Sequence, residues 1–395
     1  MLRIAVLNKI SRDILNGQFN QYQEVSLEEH PDLVFVRSHD LNKTDLPKSI
    51  IAIGRAGTGV NNIPIEQCNQ KGIAVFNAPG ANANAVKELV LFGLLAAARP
   101  AIAATMMIRA ASETIDAESV KSHFVGSELA GKTIFVIGLG KIGMEVAEMC
   151  VALGMRVIGH DPFVRSENIR DSRIHVAMNV KQGLEVADYV TLHSALTPES
   201  TGMVNSEFLN QMKRGVKLLN FARGEMIDTV TVRHALQNQH LAKYVSDFYD
   251  RMFASEAVSG QAIFFPHLGA STEEAETNAA TMVAKQLDDF FRFGYVKNSV
   301  NFPEINFLVP AGKSQNRILV HHKDSPGILT QITGIAAGLG YNIAGSLNKS
   351  NKNRSHAVTI LDLDFSGKPP VLMEVTFGIE KLEGVTSARI CDLNF

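Results

Sequence analysis

The chain has 395 residues, of which 46% are hydrophobic and 20% charged, and 38 basic against 40 acidic side chains leave a formal net charge of −2. That length supports two or three domains with well-buried cores, the composition argues against disorder of the whole, and the near-neutral balance excludes a global field aimed at nucleic acid. A protein acting on small molecules is the reading these numbers favour.

The N-terminus, MLRIAVLNKI, reads directly as a strand and lacks the basic, apolar and cleavage-site succession of a targeting segment. A cytoplasmic location is therefore expected. Short apolar runs then alternate with helix-length segments: RIAVL, LVFV, SIIAI and IAVF in the first hundred residues, followed by TIFVI, MRVIG, DYVTLH, VKLLN and AIFF. Strands spaced this way imply parallel sheets with helical crossovers, here two of them. The most apolar stretch, residues 85–108, is interrupted by Lys87, Glu88, Arg99 and Pro100, so it predicts one or two buried helices instead of a membrane span. Its alanines and methionines suit close helix packing between subunits, and a homodimer or homotetramer is expected. Cys68, Cys150 and Cys391 lie far apart and form no CxxC pair, which fits a reducing compartment and argues against a metal site.

Asn, Pro and Gly collect without periodicity over residues 298–316, as in a linker. Beyond it the order is strand (RILVHH), helix (PGILTQITGIAAGL), strand (YNIAGSLNK), strand (SHAVTILDLD), helix (PVLMEVTFGIEKL) and strand (VTSARICDL), the βαββαβ order of ferredoxin-like domains.

The strongest local signal is TIFVIGLGKIGMEVAEMCVALGMRVIGHD, where a strand runs into Gly138, Gly140 and Gly143, a helix follows, and a second strand ends at Asp161. The first glycine allows a tight turn, the second lets the backbone approach a pyrophosphate, and the third lets helix pack on strand. The helix N-terminus offers free N–H groups and a positive dipole end. Asp161 is spaced to accept from both ribose hydroxyls and to repel a 2′-phosphate, which favours NAD over NADP, with Arg165 close by.

A second glycine loop, IAIGRAGTGVNNI, carries Arg55 and has no acid at dinucleotide spacing. It reads either as a nest of backbone donors with one guanidinium, suited to a carboxylate or phosphate, or as a tight loop with a surface arginine. Two further strand ends carry chemistry. VKLLNFARGEMID places Arg223 just past an apolar strand, and QAIFFPHLGAS places His267 in the same situation. Arginine can hold a carboxylate by two parallel bonds and histidine can shuttle a proton near neutrality, a pair suited to oxidising a hydroxy acid. A lone histidine before a helix is otherwise a cap or a solvated side chain.

GRAGTGV, VIGLGKIG, HDP, NFARGEMID and PHLGASTEEA, in this order and at these separations, resemble the D-2-hydroxyacid dehydrogenase family, its 3-phosphoglycerate-oxidising branch in particular, over almost the whole chain. HHKDSPGILTQI and YNIAG are similar to the ACT domain, a regulatory module that often binds an amino acid between two subunits. The resemblance implies a flavodoxin-like substrate domain (1–96 and 286–305), a Rossmann NAD domain (97–285), a linker (306–316) and an ACT regulatory domain (317–395). It implies NAD-dependent oxidation of 3-phospho-D-glycerate to 3-phosphooxypyruvate, the first step of the phosphorylated route to L-serine, with L-serine as effector.

Residue by residue, the resemblance places Arg55 and Gly57 at the substrate phosphate or carboxylate and Thr58 near the nicotinamide. It puts Lys141 and Ile142 over the pyrophosphate, and Ser194, Phe221, Ala222, Asp247, His267, Gly269 and Ala270 around the rest of the cofactor. Arg223 would orient the α-carboxylate and His267 would take the hydroxyl proton. His322, Asp324 and Asn342 would contact serine, with Asp324 standing where asparagine is more usual. The family pairs the histidine with a glutamate, but the corresponding positions here are Met252 or Arg251, which cannot serve. Asp250 is the preferred replacement and Glu256 the other, and loss of the carboxylate would weaken the base. Two alternatives stand beside the main reading: a dehydrogenase for another 2-hydroxy acid, and a weakened NAD- and amino-acid-binding sensor.

Overall fold

The computed structural model describes all residues except 9, 20, 112–115, 170, 255–257, 259, 309–314, 365–371, 392, 394 and 395. It divides into two units, residues Met1–Ala81 with Glu276–Phe395, and residues Asn82–Ala275.

The first unit opens with a parallel sheet built from β1 (Leu2–Leu7), β2 (Tyr22–Glu24), β3 (Leu33–Val36), β4 (Ala52–Arg55) and β5 (Ala74–Phe76), in the order β2-β1-β3-β4-β5. That is the flavodoxin-like order. LVFV in β3 is buried at every position because helices cover both faces of such a sheet. The helix Glu273–Phe293 closes one face: a Cβ on Gly54 would lie 2.3 Å from Val283 Cγ1, so β4 and this helix touch through a glycine.

The second unit holds β6 (Thr133–Ile137), β7 (Arg156–His160), β8 (Ile174–Val176), β9 (Tyr189–Leu192), β10 (Val216–Asn220), β11 (Leu241–Ser246) and β12 (Ala262–Phe264), all parallel, in the order β12-β11-β10-β9-β6-β7-β8. The chain winds one way from β6 to β8 and the other way from β9 to β12, so β6 and β9 flank the switch point of a Rossmann fold. The helix Ala83–Ala98 belongs to this unit, where a Cβ on Gly93 would sit 3.0 Å from Phe221 and 3.3 Å from Val245. The units therefore divide at Asn82 and Glu276, whereas the sequence reading draws the changes at 97 and 286.

The chain then returns to the first unit with β13 (Gln315–Lys323), β14 (Asn342–Ser350), β15 (His356–Asp364) and β16 (Val385–Ile390), antiparallel in the order β14-β15-β13-β16, with helices Ile328–Gly338 and Leu372–Glu380 between them. This is the ferredoxin-like arrangement the element order predicts. Arg317, fully buried, joins this sheet to the rest of the unit. It holds Asp362 by two bonds of 2.7 and 2.9 Å and donates to the carbonyls of Phe293, Phe307 and Leu308. A buried guanidinium is tolerated because its charge and nearly all its donors are matched. Arg389 does the same for the carbonyls of Phe290 and Phe291 at the end of the long helix.

Among the described residues no single helix is long and apolar enough to cross a membrane, and the helices Ala83–Ala98 and Ala101–Ala110 pass such a test only as a pair bent by 74°. The first of them is largely buried inside its unit.

Candidate active site

In the second unit, strand register lines up the predicted residues. Ile137 pairs with His160 and Leu192, Leu192 with Asn220, Asn220 with Ser246, and Ser246 with Phe264. Gly138, Asp161, Ser194, Arg223, Asp247 and His267 each follow one of these residues by one to three positions. All six thus emerge along the carboxyl edge of one parallel sheet, where ligands of such sheets bind.

The glycine loop has a different physical reason at each position. Gly138 has φ +92°, and a Cβ there would meet the Ser194 amide nitrogen at 2.5 Å. A Cβ on Gly143 would lie 1.8 Å from the Gly138 carbonyl oxygen, so helix and strand can approach only through it. Gly140, which caps the helix Lys141–Ala152, has nothing within 4 Å of its missing Cβ. No protein atom requires glycine there; the open space is what a pyrophosphate would use. Asp161 is held by the loop it serves, its carboxylate accepting from Leu139 N and Phe163 N, both at 2.9 Å. Arg165, exposed, pairs with Glu167.

A pair of buried polar residues positions the reactive loops. Asn220 accepts from the Ala222 amide at 3.1 Å and donates to the Arg223 carbonyl at 2.8 Å, and its own carbonyl accepts from Ser246 Oγ at 2.9 Å. Ser246 Oγ in turn accepts from Phe248 N at 3.0 Å. The ends of β10 and β11 are thereby fixed together, and with them Arg223 and Asp247. Arg223 is exposed, its Nη1 donating to the Ala222 carbonyl.

Asp247 is 4% exposed. Burial raises its carboxyl above the usual carboxylate range, opposed by His267, the Gly269 amide and Arg223. Its Oδ1 has no partner among the described residues. His267 donates its amide to the Asp247 carbonyl at 3.1 Å, stacks obliquely on Phe248 at 4.8 Å, and adopts a left-handed backbone with φ +46°. Its exposed ring makes no hydrogen bond among the described residues. A non-glycine residue held in that region is strained, a feature that concentrates at functional sites. Ser194 Oγ is a second buried polar atom without a partner among the described residues. Phe221 and Ala222 are buried, in two different hydrophobic clusters, with Phe221 stacked on Phe265 at 6.2 Å.

Asp250 is committed elsewhere. Its Oδ2 accepts from Thr229 Oγ1 at 3.0 Å and its Oδ1 from Met252 N at 2.9 Å, so it caps the short turn Arg251–Phe253. Among the described residues, the carboxyl on which the His267 ring acts electrostatically is Asp247. Glu256, the other replacement considered, lies outside the described residues.

The first unit builds a separate basic loop at the carboxyl end of β4. Arg55 is half-buried, with Nε on the Arg37 carbonyl at 3.1 Å and Nη1 on the Gly59 carbonyl at 2.5 Å. A Cβ on Gly57 would come within 2.7 Å of Arg55 Nη1, so glycine there lets the guanidinium fold across the loop. Thr58 lies in the same loop, its carbonyl accepting from Asn77 Nδ2 at 2.6 Å. Burial, then the neighbouring Arg37, lowers the Arg55 guanidinium below its ordinary value. Arg37 follows Val36, which pairs with Arg55 in the sheet, and it forms an ion pair with Glu276. Asn8 shapes this loop, its Oδ1 accepting from the amides of Arg37, Ser38 and His39 at 2.9–3.2 Å. Arg37 escaped the sequence reading because only strand register brings it beside Arg55.

The residues expected to hold an effector do not converge within one chain. His322 is buried, its ring nitrogens 2.7 Å from the Lys323 carbonyl and 2.8 Å from Thr359 Oγ1. Asp324 pairs with Arg354, and Asn342 is exposed. On β15, His322 pairs with Ala357 and Asn342 with Asp364. These positions are roughly 23 Å apart along a strand.

Known proteins resemble this chain in sequence and in fold. Residues 92–269 match the D-isomer specific 2-hydroxyacid dehydrogenase, NAD binding domain. The D-3-phosphoglycerate dehydrogenase of Methanocaldococcus jannaschii is 35% identical over 280 residues, covering 69% of this chain and 52% of that protein. The one from Bacillus subtilis is 32% identical over 322 residues, covering 77% and 59%. The chain spans about half the length of the curated relatives it matches. Among solved structures, cofactor (NAD+)-bound 3-phosphoglycerate dehydrogenase from Entamoeba histolytica superposes with a TM-score of 0.59 at 27% identity, covering 78% of this chain and 99% of that one. D-mandelate dehydrogenase from Rhodotorula graminis shares the fold with a TM-score of 0.66 at 19% identity.

Proposed function

From a chain whose residues 92–269 belong to the D-isomer specific 2-hydroxyacid dehydrogenases as their NAD binding domain, we propose an NAD-dependent dehydrogenase that oxidises 3-phospho-D-glycerate to 3-phosphooxypyruvate, the entry step of the phosphorylated route to L-serine. The observation that carries this reading is the alignment of Gly140, Asp161, Arg223, Asp247 and His267 on one sheet edge, with open space at Gly140 and buried oxygens on Ser194 and Asp247 that have no partner among the described residues.

NAD, when bound, accepts the hydride from the substrate carbon. Gly138, Gly140, Lys141, Ile142 and Gly143 would hold its pyrophosphate, Asp161 its ribose, and Ser194, Phe221, Ala222, Asp247, Gly269 and Ala270 the remainder. Arg223, exposed at a strand end, orients the α-carboxylate. His267, whose ring nitrogens have no hydrogen bond to give up, takes the hydroxyl proton and returns it in the reverse direction. Asp247 stands in for the absent glutamate by stabilising the protonated ring from a buried position. Arg55 and Arg37 form the seat for the substrate phosphate. The C-terminal ferredoxin-like domain serves as an ACT-type module for L-serine; since His322 and Asn342 lie at opposite ends of one sheet, an effector touching both needs two copies of it. The exposed Met106, Met107 and Ile108 on the helix Ala101–Ala110 provide the face for a homodimer or homotetramer. Three buried thiols fit the reducing cytoplasm.

Turnover of 3-phosphoglycerate, D-glycerate and D-lactate with NAD tests this. The proposal requires kcat/KM for 3-phosphoglycerate to exceed the others by at least about 100-fold, the scale of a charge-assisted phosphate contact, and to lose most of that margin in Arg55→Ala. Equal turnover of all three would favour a dehydrogenase for another 2-hydroxy acid.

A further inference from the structure

Within the first unit, a cavity of about 140 Å³ lies at the seam between the amino-terminal ends of β4 and β5 and the four-stranded sheet. Lys48 and Lys71 line it from the parallel-sheet part, His321, Ser387 and Arg389 from the four-stranded sheet, and Phe290 and Phe302 complete the lining. We propose that this cavity binds a small phosphate-bearing anion.

Three observations converge. His321 is 4% exposed, stacked on Phe302 at 4.3 Å, and neither of its ring nitrogens has a hydrogen-bond partner among the described residues. A buried imidazole left with an unmatched N–H and an unmatched lone pair marks a place for a ligand or water. The lining carries three cations, Lys48, Lys71 and Arg389, against one acid, Glu380. Asp45 and the Leu46 carbonyl share the Lys71 ammonium, while Lys48 has no bonded partner among the described residues. The seam is also built tight at a glycine: a Cβ on Gly72 would lie 2.7 Å from Ser387 Oγ, so residue 72 must lack a side chain to leave the hydroxyl free beside the cavity. Ammonium, hydroxyl and guanidinium donors around a positive lining fit the acceptor oxygens of a phosphate. Arg55 lies at the opposite, carboxyl end of β4, so this is a different place from the proposed substrate seat. Arg389 also holds the carbonyls of Phe290 and Phe291, which puts an occupant in reach of the end of the helix Glu273–Phe293.

The test is phosphorus NMR titration of the full chain carrying Arg55→Met, saturated with NAD so that the other phosphate seats are silenced or filled. Inorganic phosphate and glycerol 3-phosphate are the two probes, with acetate at matched ionic strength as control. Saturable binding of either probe is expected, the tighter one distinguishing free phosphate from a phosphomonoester, and it should weaken at least tenfold in Lys48→Met and in His321→Phe. Lys48 is exposed, so its variant reports even if His321→Phe fails to fold. Absence of saturable binding, binding unchanged by Lys48→Met, or equal competition by acetate would overturn the proposal.

Discussion

The main-chain amide of His267 donates to the carbonyl of Asp247 at 3.1 Å, and the imidazole is the leading influence opposing the burial that raises the Asp247 carboxyl. An exposed imidazole and a buried carboxyl are thus tied to one another by backbone.

This geometry predicts opposite effects of Asp247→Asn on activity and stability. A carboxyl whose folded pKa is raised holds its proton more tightly in the folded chain, so folding loses free energy as pH rises from its unfolded value through the raised one. At neutral pH the ionised form is a cost that asparagine removes. Denaturant unfolding at pH 7 is expected to show Asp247→Asn at least as stable as the wild type, while kcat/KM for 3-phosphoglycerate falls by at least about tenfold. Unchanged kcat/KM would remove Asp247 from the mechanism.

Asp250→Ala should do the reverse. The residue caps a turn and bonds Thr229, so its loss is expected to cost about 1 kcal/mol, measured by the same unfolding titration. Steady-state kcat/KM should stay within about threefold of wild type; a loss of two orders of magnitude would restore Asp250 as the partner of His267.

The glycine loop separates folding from cofactor binding. Gly143→Ala would force a Cβ to within 1.8 Å of the Gly138 carbonyl, and unfolding or aggregation on expression is the expected result. Gly140→Ala meets no protein atom within 4 Å, so circular dichroism and thermal unfolding should match wild type while NADH affinity, read by fluorescence titration, drops at least about tenfold. Normal NADH affinity in Gly140→Ala would place the pyrophosphate elsewhere.

Two buried histidines make the fold acid-sensitive. Burial lowers both His193 and His321 from 6.5 to about 3. Their folded pKa values are depressed, so the neutral forms contribute stability that is intact above about pH 6.5 and declines as pH falls toward 3. Each steepens the loss by up to about 1.4 kcal/mol per pH unit in that window. Unfolding titrations from pH 7 to 4.5 should show this slope, and His193→Gln should flatten it; an unaltered slope would mean that this ring is not held neutral.

Much of this was legible in the sequence because the signals are local. The spacing of Gly138, Gly140, Gly143 and Asp161 encodes one strand, one turn and one helix, and each glycine has a reason within a few residues. The ferredoxin-like order likewise follows from consecutive apolar runs between Arg317 and Cys391. What stayed hidden depends on residues far apart in sequence. β11 was overlooked because Lys243 and Ser246 interrupt its apolar pattern; Lys243 reaches out to the Gly260 carbonyl, and Ser246 is satisfied by Asn220. Arg37 and Asn8 come to the Arg55 loop only through the register of β1, β3 and β4. Asp250 looked available because its partner Thr229 lies 21 residues away. That β13, with β15 and β16 on either side, buries His322, which the family resemblance implies as a serine contact, is likewise invisible locally.

The most direct test of the account is NADH formation by the purified chain supplied with NAD and 3-phosphoglycerate, beside His267→Asn. Wild type is expected to reduce NAD at a steady rate, and His267→Asn to lose at least about a hundredfold in kcat, the scale of a general base, while still binding NADH. Absence of NADH formation by wild type, or equal rates in the two proteins, would contradict it.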